Sequence, residues 1–297
     1  MKKSKLKVCV IAGAIFALLF AMGGCSGQGD NAKEEKSITV ISRESGSGTR
    51  DAFTELTGVM EDDVDRTVSS AEISNSTAVV IQSVAGNDAA IGYVSMGSMS
   101  DDVTAAKVDG VEATVDNVKT GDYKLQRPFN VVTKGDVDKL TEDFLSFVMS
   151  QQGKEIIEEE GYIFADAETG NDAANIGGEY SAAGLKGTIT IAGSTSVAPV
   201  MEVLADEYKG LNKGVEIEIQ QNGSSAGIQS TLEGVCDLGM ASRELKSEET
   251  NAGLTSMPIA LDGIAVIVNN GNPITDLSMD QIKAIYVGDI VSWSELL

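Results

Sequence analysis

The sequence predicts an α/β fold made of two ordered blocks. Short apolar runs of strand length alternate with stretches whose apolar residues recur at helical spacing, which is typical of α/β proteins. The blocks cover about residues 37–165 and 186–297. Between them, residues from about 166 to 186 are rich in Gly, Ala, Asn and acidic side chains and show no apolar period, which indicates a flexible linker. Without the leader described below, about 270 residues remain, enough for two α/β lobes.

The first block opens with an apolar strand and continues in alternation. A stretch at 141–160 carries apolar residues at helical spacing and is interpreted as one helix, or as two broken near 151–153. The predicted elements of this block are strand 38–41, helix 49–56, helix 78–84, strand 90–94, strand 130–133 and the helical stretch 141–160.

The second block contains the clearest helix, which begins near Pro199 and repeats apolar residues on one face as far as Leu211. Apolar residues alternate with Glu over 215–219, which indicates a half-exposed strand. Ile228, Leu232 and Val235 mark a short helix. The remaining predicted elements are strand 188–191, strand 263–268 and helix 280–286.

The first 24 residues read as a secretory signal peptide. Four lysines precede an uncharged apolar run over 8–22, which is too short and wrongly flanked for a stable membrane span. The run ends in Gly-Gly-Cys, which resembles the bacterial lipobox and predicts a lipid on Cys25; the alternative is an ordinary signal with an incidental Cys. Polar residues 25–36 would form a flexible tether, so the chain is predicted to be extracytoplasmic and anchored to the cell membrane by that lipid.

Composition excludes several function classes. Removing the four leader lysines leaves 18 basic against 45 acidic residues, a net charge of −27, which argues against nucleic acid or an anionic membrane surface as partner. The chain has no His, so a Ser-His-Asp set and a His general base are impossible, and no cluster has zinc-ligand spacing. Apart from Cys9 and Cys25, only Cys236 remains, so no internal disulfide is expected. We therefore predict no cofactor and no metal.

Three loops share one design. "RESGSGTRDAF" (43–53), "AGSTSVAPV" (192–200) and "NGSSAGIQS" (222–230) each place Gly and hydroxyl residues where a strand gives way to a helix. A helix start exposes unpaired N–H groups and the positive end of the helix dipole, so such loops suit a small oxyanion. Any one of them is ordinary capping. Three loops, two with an Arg nearby (Arg43 and Arg243), favour an anion site, and no P-loop or dinucleotide fingerprint is present.

Several longer segments resemble the phosphate-binding lipoprotein of bacterial phosphate ABC transporters. They include "VISRESGSGTRDAF", "AAIGYVSMGS", "GTITIAGSTSVAPVMEVLADEY", "GSSAGIQSTLEGVCDLGMASREL", "ALDGIAVIVN" and "LSMDQIKAIYVGDIVSWSEL". The resemblance implies a periplasmic-binding-protein-like fold of type II, in which two lobes close on a ligand held in the cleft between them. It also implies that no bond is made or broken, so the chain is not expected to be an enzyme.

The resemblance also implies which residues contact the anion. In the first loop these are Arg43, Ser47, Gly48 and Thr49, as guanidinium, hydroxyl and helix-start N–H donors. The other contacts fall on Thr195 and Ser196, and on Ser224 and Ser225. Arg243 stands where some members have an Asp that accepts a proton from the anion, so the usual basis for preferring phosphate over sulfate is in doubt; Glu44, Glu244 or Asp262 could supply an acceptor.

The order of the segments differs from the family. There, "AGSTS" opens the mature chain and "SRE-GSGTR" follows "WSEL", so this chain resembles a circular permutant. The crossings between lobes would lie near 125–129 and 260–264. One lobe would then be 127–262, containing the linker, and the other 37–126 plus 263–297. A monomer is expected; halves swapped between two chains, or a rearranged gene whose halves do not close, are the alternatives.

The predicted function is capture of inorganic phosphate and its delivery to a membrane permease. Three alternatives stay open at this stage: a receptor for another tetrahedral oxyanion such as sulfate or molybdate, a phosphate-ester hydrolase, and a non-binding surface protein.

Overall fold

The computed structural model describes residues 37–166 and 177–297. The predicted signal peptide (1–24), Cys25 with its predicted lipid and the predicted tether lie outside the described residues, as does the linker segment 167–176. Within the two described ranges, no helix is both long and apolar enough to span a bilayer.

Strands and helices alternate along the described chain, as the sequence predicts. The helices are α1 (Gly48–Thr57), α2 (Thr77–Ala85), α3 (Val115–Lys119), α4 (Lys139–Val148), α5 (Gln151–Glu159), α6 (Ala198–Leu211), α7 (Ser224–Glu233), α8 (Ser247–Asn251) and α9 (Met279–Val287). The strands are β1 (Thr39–Arg43), β2 (Met60–Glu61), β3 (Val64–Asp65), β4 (Glu72–Ser74), β5 (Ala90–Ser95), β6 (Val103–Ala105), β7 (Lys107–Val108), β8 (Gln126–Lys134), β9 (Ile163–Phe164), β10 (Gly187–Gly193), β11 (Val215–Gln221), β12 (Leu238–Ala241), β13 (Leu254–Asn269) and β14 (Asp276–Leu277).

Ten of these strands form one mixed sheet in the order β11-β10-β12-β8-β13-β5-β1-β4, with β6 and β9 also paired to β13. Strand β10 pairs in parallel with β11 and β12, and β1 pairs in parallel with β4 and β5. These two parallel groups are joined by β8 and β13, which are antiparallel to each other. The loop after β1 leads directly into α1, and the loop after β10 leads directly into α6. Within each parallel group, the carboxyl ends of the strands lie at the same edge of the sheet.

The central feature of the sheet is β13, which is 16 residues long. Its first part, through Gly263, pairs with β8, and its second part, from Ile264, pairs with β5. The register slips between Pro258 and Ala260, where the ladder is irregular. The sequence predicted only 263–268 as strand, because Pro258 interrupts the apolar pattern before it.

Buried apolar side chains form clusters on both sides of the crossing, the point where β13 passes from its pairing with β8 to its pairing with β5. One cluster draws its members from residues 129–260. Two others draw theirs mainly from 40–125 and 264–293. We call the part around the first cluster the central half, since it comes from the middle of the chain, and the other part the terminal half. The terminal half is assembled from both ends of the described chain, where Ser37 forms a β-bridge with Ser292 and Ile38 N donates to Val291 O at 2.8 Å.

The two-helix alternative for 141–160 is confirmed. The break lies at Met149 and Ser150, slightly before the predicted 151–153, and the Ser150 hydroxyl caps α5 by accepting from Gly153 N at 3.2 Å. One prediction is wrong: Val235 is not part of the helix it was predicted to mark, since α7 is closed by its C-cap Gly234 in the left-handed conformation and Val235 is 70% exposed.

The last part of the predicted linker is held by specific contacts. The Tyr180 hydroxyl donates to Asp143 at 2.6 Å, and Tyr180 N donates to Gln152 Oε1 at 2.9 Å. The ring packs edge-on against Phe147. These contacts fasten 177–186 to the helices of the central half before β10 begins.

Candidate functional site

The loop after β1 brings a buried arginine to a helix start. Strand β1 ends at Arg43, and Gly46 takes a left-handed φ of 90° that lets the chain turn back. Ser47 is the N-cap of α1, and its hydroxyl accepts from Arg50 N at 3.4 Å, so its own proton stays available for donation. Gly48 and Thr49 then form the first turn of the helix.

The Arg43 backbone is fixed on both sides. Its N–H donates to the Tyr93 hydroxyl at 3.1 Å, and its carbonyl accepts from Arg50 Nη1 at 2.7 Å. Tyr93 is itself held by the ring of Phe53, stacked at 3.9 Å between centroids. Burial raises the pKa of Tyr93, so this hydroxyl stays neutral. Contacts within the core therefore fix the backbone of Arg43 independently of any ligand.

Arg43 is only 2% exposed. Glu44 accepts hydrogen bonds from two of its N–H groups, at 2.9 Å each, and forms an ion pair with it. A further N–H reaches across to Thr195 Oγ1 at 3.0 Å. The guanidinium thus belongs to the terminal half but contacts the central half.

The loop after β10 meets this arginine. Thr195 and Ser196 lie just before α6, and both are buried. Ser196 Oγ is 2.9 Å from Thr49 Oγ1, so these two hydroxyls also join the halves. The N-cap of α6, Val197, offers no side-chain acceptor, and the N–H groups of Ser196 and Val197 donate to Ser194 Oγ at 3.2 and 3.4 Å.

The third predicted loop completes the cluster. Ser224 opens α7, and its Oγ accepts from Ser242 N at 3.2 Å. Ser242 Oγ is in turn 3.0 Å from Ser194 Oγ, which links the second and third loops. Ser225 N donates to Gly46 O at 3.0 Å, again across the halves. Gly48 packs so closely that a Cβ there would lie 2.5 Å from Ser224 Oγ.

The structure adds residues that the sequence reasoning missed. Thr77, the first residue of α2, places its Oγ1 3.2 Å from Thr195 Oγ1 and 3.1 Å from Ser196 Oγ. Ser194 and Ser242 supply further buried hydroxyls. The segment "SNST" at 74–77 has the same small, hydroxyl-rich composition before an apolar helix as the three loops, and that signal could have identified it.

Four helices begin at this cluster. Three of them, α2, α6 and α7, have no N-cap side-chain hydrogen bond, whereas α1 is capped by Ser47. Helices α4, α5 and α9 begin away from the cluster and are capped by Asp138, Ser150 and Ser278. The positive dipole ends of four helices are therefore concentrated where the buried hydroxyls and Arg43 meet.

Arg243 lies beside the cluster with both terminal nitrogens occupied. Glu249 accepts from both of them at 2.8 Å, and Nε lies 3.0 Å from a carboxylate oxygen of Asp51 in the terminal half, at ion-pair distance but without hydrogen-bond geometry. Ser225 Oγ accepts a further bond at 3.3 Å. Burial lowers the pKa of Arg243, but Glu249 and Asp51 outweigh that effect and leave it raised. Arg243 thus forms an ion pair that bridges the halves.

The carboxylates considered as proton acceptors lie in different places. Glu44 is bound to Arg43, and Glu244 is exposed. Asp262 is fully buried at the crossing, where it accepts from Arg127 Nη2 at 3.0 Å and from Ser95 Oγ at 2.9 Å. Burial raises the pKa of Asp262 to about 6. Of these three carboxylates, Glu44 is the one that contacts the cluster, through Arg43.

The arrangement suits the binding of a small anion. The cluster offers the Arg43 guanidinium, several hydroxyls and the N–H groups of helix starts, which together can replace the water shell of such an ion. Over residues 37–166 and 177–297, no group of three or more His, Cys, Asp or Glu residues is placed to hold a metal ion.

Comparison with known proteins agrees with this geometry. Residues 16–152 and 178–297 match the family model of a PBP superfamily domain. The phosphate-binding protein PstS 2 of Streptococcus pneumoniae TIGR4 is 43% identical over 298 residues, which cover 98% of this chain and 99% of the relative. PstS 2 of Streptococcus agalactiae serotype V is 42% identical over 303 residues, covering 100% and 99%.

A solved structure is similar as well. The crystal structure of a phosphate-binding protein of a phosphate ABC transporter from Streptococcus pneumoniae TIGR4 is 45% identical, with a TM-score of 0.70 over 88% of this chain and 100% of the other. This match confirms the predicted periplasmic-binding-protein-like fold of two lobes. Because the sequence alignments run along both chains from end to end, the relatives share the order of segments found here. The chain belongs to the PBP superfamily and, within it, to the PstS-like phosphate-binding proteins.

Proposed function

We propose that this protein binds inorganic phosphate outside the cytoplasm and delivers it to the permease of an ABC transporter, without making or breaking a bond. One observation carries the proposal: a buried guanidinium meets hydroxyls from both halves at the point where four helices begin. Fixed donors of this kind replace water around a tetrahedral anion. The names of the relatives give the ligand, phosphate, and the transport role.

The proposed phosphate contacts follow the sequence prediction. Arg43 supplies charge, and the remaining contacts are hydroxyls and helix-start N–H groups. These residues are Ser47, Gly48, Thr49, Thr195, Ser196, Ser224 and Ser225. Arg243 was also predicted as a phosphate contact, at a position where some family members have an Asp; its ion pair with Asp51 supports instead a role in holding the halves together.

Capture is proposed to occur by closure of two lobes, 127–262 against 37–126 plus 263–297. The contacts Thr49–Ser196 and Arg43–Thr195 join the two lobes at the site and support this division. The permease would then recognise the closed form.

The order of segments is proposed to be a circular permutation that closes within one chain. The bridge between Ser37 and Ser292 supports it, since the two ends of the described chain meet in the same half. The shared order in streptococcal relatives weighs against a single rearranged gene. We further propose a monomer, exported by the signal peptide 1–24 and anchored through a lipid on Cys25.

Calorimetry of the purified protein with phosphate and with sulfate tests the function. We expect phosphate to bind and sulfate to bind more weakly; sulfate binding with no phosphate preference would make the chain a receptor for another oxyanion. Arg43→Ala should weaken phosphate binding at least about tenfold, as one charge-assisted contact is lost. Arg66→Ala, which removes an exposed arginine paired with Glu61, is the matched control and should bind normally. Phosphate binding unchanged by Arg43→Ala would place the site elsewhere.

A further inference from the structure

We propose that Thr77 is a further anion-binding residue, whose hydroxyl and helix start form another wall of the phosphate site. The inference rests on the proposed function and adds a contact that neither the three sequence motifs nor the family resemblance supplied. Thr77 is 4% exposed and is the first residue of α2, in the terminal half.

The Thr77 hydroxyl contacts three side chains that are already proposed to bind the anion. Its Oγ1 lies 3.1 Å from Ser196 Oγ, 3.2 Å from Thr195 Oγ1 and 3.4 Å from Arg43 Nη1. Bonds between hydroxyls are usually 2.5 to 3.0 Å, and a single hydroxyl has only one proton to give. These contacts are therefore long and in competition, so exchanging one of them for a charged phosphate oxygen is favourable.

The start of α2 offers a second kind of donor. The side chain of Ser76, the N-cap of α2, makes no hydrogen bond to the first-turn N–H groups of the helix. The hydroxyl of Ser74 accepts from Ser76 N instead, at 3.4 Å, outside the helix. Thr77 thus combines a hydroxyl with the positive end of a nine-residue helix.

The competing role for Thr77 is structural, since its contacts with Thr195 and Ser196 also join the halves. The two roles predict different ³¹P chemical shifts for phosphate bound to a variant that lacks the Thr77 hydroxyl. A hydroxyl that touches phosphate changes the ³¹P chemical shift of the bound ion when it is removed, whereas a contact that only joins the halves leaves that shift unchanged.

The test compares Thr77→Val, Thr77→Ser and Thr57→Val by calorimetry and ³¹P NMR with inorganic phosphate. Thr77→Val keeps the shape and removes the hydroxyl, and we expect affinity to fall about tenfold to hundredfold, with a shifted ³¹P resonance. Thr77→Ser should stay within about threefold of the wild type, because it restores the hydroxyl. Thr57 is a buried control whose hydroxyl donates to Phe53 O within its own helix, and its variant should bind normally.

Three results would overturn the inference. If wild type binds phosphate and Thr77→Val binds it equally well, the inference fails and the proposed function stands. If Thr77→Val binds weakly but its bound phosphate keeps the wild-type ³¹P shift, Thr77 only joins the halves. If wild type binds no phosphate, the proposed function fails and this inference fails with it. Should Thr77→Val not fold, Thr77→Ala takes its place in the same comparison.

Discussion

Replacing Gly48 with alanine should weaken phosphate binding without destabilising the unliganded protein. Gly48 is the first residue of α1 and packs against the start of α7 in the other half. A Cβ at this position would lie 2.5 Å from Ser224 Oγ, 2.8 Å from Ser242 Oγ and 3.0 Å from Ser224 Cβ. The added methyl group therefore prevents the halves from approaching as closely as they do here.

The size of the effect follows from two opposing terms. Overpacking of this kind costs about 1 to 3 kcal/mol, which corresponds to a loss in phosphate affinity of roughly fivefold to 150-fold. Alanine is also a better helix former than glycine by up to about 1 kcal/mol. When the halves are apart the overlap is absent, so only the helix term acts and the melting temperature without phosphate should hold or rise.

Calorimetry with phosphate and thermal unfolding without it measure the two terms separately. Gly210→Ala is the matched control, because Gly210 lies in α6 and a Cβ there would meet nothing within 4 Å. It should gain helix stability and bind phosphate normally. Wild-type affinity in Gly48→Ala would refute the closure reasoning, since the contact with Ser224 would then play no part in the bound form.

Three further outcomes are expected. Burial raises the pKa of Asp262 to about 6, above its unfolded value of about 3.9, so the folded state holds this proton more tightly. Stability should therefore fall by up to about 3 kcal/mol as pH rises from about 4 to 6, and urea unfolding of Asp262→Asn should lack that slope; an identical slope would contradict the assignment. Asp51→Asn removes the partner of Arg243 in the other half and should speed phosphate dissociation about fivefold in stopped-flow, whereas an unchanged rate would show that this pair does not hold the closed form. Ser278→Ala removes the capping box of α9 and should cost about 1 kcal/mol of stability, while phosphate affinity that also fell would mean the helix start acts on the site.

The sequence predicted most of the regular elements because their patterns are local. Helix α6 shows apolar residues at helical spacing from Val200 to Leu211, and the structure places it at Ala198–Leu211. The first part of β13, before residue 263, was not predicted as strand because it contains Pro258. Only its pairing with β8 makes this part a strand. The short strand β12 lacks a distinctive pattern and is likewise defined by its neighbours.

The cluster of buried hydroxyls was predicted in part for the same reason. The three loops could be found because each has its hydroxyls and glycines side by side in the sequence. The segment 74–77 has a similar local composition and could have been found in the same way, but the contact of Thr77 with Thr195, 118 positions away, depends on the fold. The ion pair of Arg243 likewise depends on Asp51, which the fold brings from the other half.

The paired passage of β8 and β13 between the halves limits how the molecule can move. Both strands belong to one hydrogen-bonded ribbon, and Arg127 and Asp262 face each other across it as register partners. A ribbon of two bonded strands resists swivelling, which single connecting loops would permit. It yields most easily where its ladder is interrupted, between Pro258 and Ala260. Opening should therefore be a bend of the two halves about one axis through that point, and closing should follow the same path in reverse.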